Sequence, residues 1–245
     1  MYDFFQAYLW SFPAAIALAA SFIQSLTGFG FAIIATPLLI SIYDPKEVVL
    51  ILQLISLPIS TVFCVILRKD VDWKFVLILS LGSLLGQPIG MAIYYYMPSN
   101  MLKVFISVLI LLFLLIKQIR CKPLQETRLK TLIVGLISGI LNTSTALAGP
   151  PLILYLVAIN REKTSMRADS IVYFTFLSVT ATIGFAISRQ DLSTAVIHVF
   201  MMLPAAIIGL IVGNLLFPYL SQKMFQKFIF VMMAFSSVYT ICSIL

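Results

Sequence analysis

Residues 10–43 read WSFPAAIALAASFIQSLTGFGFAIIATPLLISIY, a stretch without a single charge. As one straight helix it would be on the order of 50 Å long, well beyond the roughly 30 Å hydrocarbon core of a bilayer. Its middle holds Thr27-Gly28-Phe29-Gly30, followed by Pro37, and glycine and proline both interrupt helices. Residues 131–159 behave the same way, with NTSTALAGPP, Asn142 to Pro151, at their centre. Each stretch is either a kinked helix that crosses or a hairpin that enters and returns to the same side.

The surroundings place these stretches in a membrane. Of 245 residues, 61% are hydrophobic and 10% charged, against about 45–50% and about 25% in soluble domains. Charged breaks leave six further apolar segments, near 48–67, 73–97, 102–116, 168–188, 192–217 and 224–245, which suit single crossings of about 17–25 residues. The first apolar run lacks a basic n-region and is too long for a signal-peptide core, so it is read as retained. Cys64, Cys121 and Cys242 are widely spaced and fit neither a disulfide framework nor a metal site. No cofactor is implied. The net charge of +7 does not call for nucleic acid, because the basic residues gather on one membrane face.

That gathering decides between kink and hairpin. If residues 10–43 and 131–159 are both re-entrant, 13 of the 16 Lys and Arg fall on one face, leaving Lys46, Lys103 and Arg189 on the other. If both cross, the split is nine to seven. The positive-inside rule therefore selects hairpins and puts both termini outside the cytoplasm. Weak internal similarity supports the same plan. Pro37-Leu38 matches Pro151-Leu152 at an offset of 114, which sets Gly28 against Asn142 and Gly30 against Ser144; Gly86 and Gly90 match Gly209 and Gly213. The expected fold is an all-α polytopic membrane protein of two inverted-topology repeats, each a re-entrant hairpin plus three transmembrane helices. Residues 1–119 form the first repeat, 120–130 a cytoplasmic linker and 131–245 the second repeat. This is the architecture of secondary transporters.

After each tip a new helix begins, so its unpaired N–H groups and positive dipole end face mid-depth, a natural seat for an anion. The candidate binding residues are Thr27, Gly28, Phe29 and Gly30 in the first tip. In the second they are Asn142, Thr143, Ser144 and Thr145, an amide and three hydroxyls. Gln24, Gln53, Gln87 and Arg167 are candidates for the path or a gate, with interhelical bonding as the plainer alternative for the glutamines and Asn214. Gly82, Gly86 and Gly90 share one helix face, as do Gly209 and Gly213, and are expected to pack helices closely.

The motifs ATPLL after the first tip and GLISGILNTSTALAGPPLILYL through the second resemble the paired signatures of the sulfite exporter TauE/SafE family of membrane permeases. Phe29 and Phe31 stand where many members carry small residues. The resemblance implies transport of a small sulfur-containing anion, such as sulfite, thiosulfate or an organosulfonate, across a prokaryotic cytoplasmic membrane. The implied partners are this small anionic substrate and membrane lipid. A coupling ion (H+ or Na+) and a homodimer are left open, as are an anion channel and a permease for a non-sulfur anion. An intramembrane serine protease would need a Ser–His pair, and the single histidine, His198, lies far from Ser144 in sequence. The chain is not expected to be an enzyme.

Overall fold

The computed structural model describes residues 2–118, 124–219, 221 and 224; the predicted segment 224–245 and the calls on Cys121 and Cys242 lie otherwise outside the described residues. Among them are α1 (Tyr2–Thr27), α2 (Phe31–Leu39), α3 (Pro45–Leu67), α4 (Trp73–Tyr96), α5 (Ser99–Gln118), α6 (Arg128–Thr145), α7 (Gly149–Ala158), α8 (Lys163–Ile187) and α9 (Ser193–Leu216). Of these, α3, α4, α8 and α9 with its extension to Tyr219 are long and apolar enough to cross a membrane. The protein is an all-helical, multi-pass membrane protein. The linker is shorter than expected: Thr127 caps α6 through its side chain, so Arg128–Lys130 are already helical.

Polar contacts sort the helix ends into two groups. At the basic end, Arg161 Nη2 meets Asp72 Oδ2 at 2.9 Å and Asp169 Oδ2 at 2.7 Å, and Nη1 meets Glu126 at 3.4 Å. At the opposite end, Ser99 Oγ donates to Asp44 at 3.0 Å, Lys46 Nζ to the Tyr95 carbonyl at 3.4 Å, and His198 Nε2 lies 3.1 Å from Glu47. The Leu124 N–H donates to the Ala158 carbonyl at 2.8 Å, tying the approach to α6 to the last residue of α7. Helices α6 and α7 therefore start and finish together at the basic end. Helix α1 runs alongside α9 in the same direction, Leu18 against Gly209 and Phe22 against Gly213. Its tip thus points to the basic end, where Gly28 rests on the backbone of Arg167. Helix α2 then returns to the opposite end, where the Tyr43 ring lies 4.6 Å from that of His198. The two broken pairs enter from opposite ends.

The packing is reciprocal: α6 lies on α4, and α1 lies on α9. A Cβ at Gly86 or Gly90 would run into the carbonyl oxygens of Leu136 or Ile140, and one at Gly209 or Gly213 into those of Leu18 or Phe22. Glycine is required because backbone meets backbone there. One hydroxyl per seam fixes the register: Thr143 Oγ1 donates to the Gln87 carbonyl and Ser25 Oγ to the Leu210 carbonyl, both at 2.8 Å.

These pairs correct the register read from sequence. Leu18, Phe22 and Ser25 occupy the places of Leu136, Ile140 and Thr143, an offset of 118 rather than 114. Gln24 is therefore the counterpart of Asn142, and Gly28 of Ala146. Both latter residues are left-handed (φ 84° and 59°), and their N–H groups bond the Gln24 and Asn142 carbonyls at 2.7 and 2.9 Å. The turn, not the proline, is the matching feature, and an αL position accepts alanine at a cost.

The Arg161 cluster yields a pH prediction. The Asp72 carboxyl is held below its usual range, first by the hydrogen bond from Arg161 and, against the opposing effect of burial, by N–H groups of Phe75 and Lys74. A depressed folded-state pKa contributes stability above the ordinary value and loses it as pH falls through the lowered one. Asp72→Asn is thus expected to melt below the wild type at neutral pH. The gap should close as acid protonates Asp72, below roughly pH 4, when melting is followed across that range.

Candidate functional site

The two breaks converge on one cavity. From the first come Gln24 at the end of α1, then Phe29, Gly30 and the opening turn of α2, Phe31 to Ile33. Asn142, Ala146, Ala148 and Gly149 come from the second break, and Leu52, Gln53, Ser56, Phe174 and Ser178 from the middles of α3 and α8. The cavity offers about 40 Å³ to the centres of water-sized groups, where one water needs roughly 10–15 Å³. It takes a few waters or one small ion, and among the described residues no charged side chain lines it.

Its polar equipment is a set of amides short of partners. Gln24, Gln53 and Asn142 are 4%, 3% and 5% exposed. Among the described residues, Gln53 Nε2, Asn142 Nδ2 and Gln24 Oε1 are buried with no hydrogen-bond partner. Gln24 Nε2 makes a long 3.4 Å bond to Ser60 Oγ, and turning that amide over would let Ser60 donate to Oε1 and leave the NH2 group as the unpaired end. An unpaired buried polar atom costs roughly 1–3 kcal/mol, and Gln53 Nε2 and Asn142 Nδ2 are two donors that an acceptor in the cavity would satisfy.

Helix starts supply the rest, unequally. Gly30 at φ 115° begins α2, whose first internal bond runs from Ile34 N–H to the Gly30 carbonyl at 3.2 Å. Phe31 and Ala32, whose N–H groups precede that bond, line the cavity. Helix α7 starts Gly149-Pro150-Pro151, and proline has no N–H. The start of α7 thus offers the Gly149 N–H and its dipole, with no N–H at the next two positions.

Of the residues singled out from sequence, the structure brings Gln24, Phe29, Gly30, Gln53 and Asn142 to the cavity. The hydroxyls do not join them. Thr27 donates to the Ile23 carbonyl at 2.8 Å and also contacts the Phe29 carbonyl, Ser144 donates to Ile140 at 2.7 Å, and Thr145 to Leu141 at 2.8 Å. Thr143 is spent on Gln87, as described. In a dry interior a hydroxyl near a helix end takes the nearest carbonyl. Thr27 and Thr145 instead brace the turns, accepting from the N–H groups of Phe29 and Leu147 at 3.3 and 3.4 Å. Gly28 faces Arg167. Gln87 lies outside the cavity, its Nε2 on Thr180 Oγ1 at 2.8 Å, and Arg167 lies toward the basic end. Leu52, Ser56, Phe174 and Ser178 were missed, and nothing in one sequence distinguishes them from other span residues.

Broken helices meeting at a small uncharged cavity inside a polytopic bundle define a membrane transporter. The chain belongs to the family described as Sulfite exporter TauE/SafE, which matches residues 13–240. It is similar to the "Probable sulfite/organosulfonate exporter TauE" of Cupriavidus necator, 23% identical over 207 residues that cover 82% of this chain and 81% of that one. No solved structure matches the chain at a significant level.

Proposed function

We propose that the protein exports a small sulfur oxyanion, sulfite or a short organosulfonate, across a prokaryotic cytoplasmic membrane by alternating access. The anion sits in the central cavity, held by the amides of Gln24, Gln53 and Asn142 and the first N–H groups of α2. The observation that carries this reading is the convergence of three buried amides, each with one unpaired atom, and a helix start on a cavity of ionic size. Neutral donors suit a transported anion, since a lysine or arginine in the cavity would slow its release. Phe29, Phe31 and Phe174 narrow the space, which favours sulfite and the smallest sulfonates.

In this reading residues 1–119 and 131–245 are repeats of inverted topology, the basic end faces the cytoplasm, and both termini lie outside it. Access alternates by loosening one tied end at a time: the Arg161 cluster on one side, the Glu47–His198 and Lys46–Tyr95 contacts on the other. A −1 charge leaving a negative-inside cell gains about 2.3 kcal/mol per 100 mV, so export proceeds without a coupling ion.

The test is a melting-temperature screen of purified protein against sulfite, sulfate, thiosulfate, methanesulfonate and chloride, followed by efflux from proteoliposomes. A ligand at a hundred times its Kd stabilises the folded state by about 2.7 kcal/mol, so sulfite or methanesulfonate is expected to raise the melting temperature. Saturable efflux with counterflow marks a transporter; non-saturating flux would make it a channel. No stabilisation by any of the five anions would overturn the site.

A further inference from the structure

Two arginines six positions apart have opposite surroundings. Arg161 is surrounded by the carboxylates of Asp72, Glu126 and Asp169. Arg167 is 3% exposed, yet among the described residues no carboxylate makes an ion pair with it. Its guanidinium lies over the rings of Phe63 and Phe217, 5.3 and 4.0 Å from their centres, and Nη2 donates to Asn214 Oδ1 at 2.8 Å. Nε is buried with no partner. Lys163 Nζ lies 5.2 Å from the centre of the same Phe217 ring, so two cations share one aromatic ring.

A guanidinium withdrawn from water without a counter-charge is costly, and an ionised residue inside a span points to function. The backbone of Arg167 lies under Gly28, next to Phe29 and Gly30 of the first tip, which line the central cavity. Resting on the transport reading, we propose that Arg167 holds a second small oxyanion, in transit between the basic end and the central cavity. The planar fork of N–H groups matches two oxygens of a sulfite or sulfonate. Asn214 and the two rings fix the fork while leaving its charge unneutralised. With one donor already committed to Asn214 the grip is incomplete, as a waiting position requires.

Asn214→Asp tests this with little change of shape, because it places a carboxylate where Oδ1 now accepts from Nη2. An internal counter-ion then occupies the seat. Expected are a higher melting temperature, sulfite efflux lowered about tenfold or more by loss of a charge-assisted contact, and one radiolabelled sulfite bound per chain in equilibrium dialysis where the wild type binds two. Arg167→Lys, which keeps charge and loses the fork, should raise KM. Wild-type efflux and stoichiometry in Asn214→Asp would overturn the proposal, as would a wild type that binds a single anion of sulfite, sulfate and methanesulfonate alike. The central site is judged separately: stoichiometry unchanged in Asn142→Leu but lowered in Asn214→Asp would remove that site and keep this one.

Discussion

Replacing Asn142 with leucine is expected to lower sulfite efflux by about 10- to 100-fold, the worth of a hydrogen bond to a charged group, while the melting temperature holds or rises. The two effects part company because Asn142 Nδ2 has no hydrogen-bond partner among the described residues. Exchanging a buried amide with an unpaired atom for an apolar group of similar size relieves desolvation rather than breaking a bond. Gln24→Leu, at the equivalent place in the other half, should show the same pattern, weakened by loss of the long bond to Ser60. Ser144→Ala is the contrasting case, since that hydroxyl donates to Ile140 in its own helix, and its transport should stay near wild type. Efflux and melting measured on the same preparations decide the matter. Equal loss in Ser144→Ala and Asn142→Leu would mean that the hydroxyls hold the anion after all.

Gly86→Leu is expected to abolish folding. A Cβ there meets backbone of Leu136 and Ile140, not a side chain that can swing away. Separating α4 from α6 along the seam would also strain the Thr143–Gln87 bond and shift the second tip. The cost should exceed about 3 kcal/mol, the upper end of ordinary overpacking. Gly209→Leu should fail equally, since its Cβ meets the Leu18 carbonyl. Gly184→Ala is the control: its Cβ meets only the methyl end of Met91, a flexible chain that yields. Monodisperse protein recovered after detergent extraction reads out all three, and comparable yields of Gly86→Leu and Gly184→Ala would disprove the close seam.

How much of this was written in the sequence follows the physics of each feature. The two breaks were legible because length and glycine content conflict with a 30 Å core, and the glycine seams because spacing of four places residues on one helix face. The register of the halves was not legible, since Gly28 and Ala146 perform one backbone task with different residue types, whereas Pro37 and Pro151 look alike by accident of position. The site was half legible. Amides in apolar spans announced themselves, but whether a hydroxyl faces a cavity or its own helix depends on one rotamer, and composition is blind to rotamers. The proline pair at the start of α7 did declare its missing donors in advance.

The reciprocal seams also set a timetable for manufacture. Helix α6 meets α4 as soon as it emerges, whereas Leu18 and Phe22 wait for Gly209 and Gly213, about 190 residues further on. At about 5–20 residues per second that is roughly ten to forty seconds in which Ser25 lacks the Leu210 carbonyl to which its hydroxyl finally donates. The ribosome thus delivers one seam early and the other nearly last.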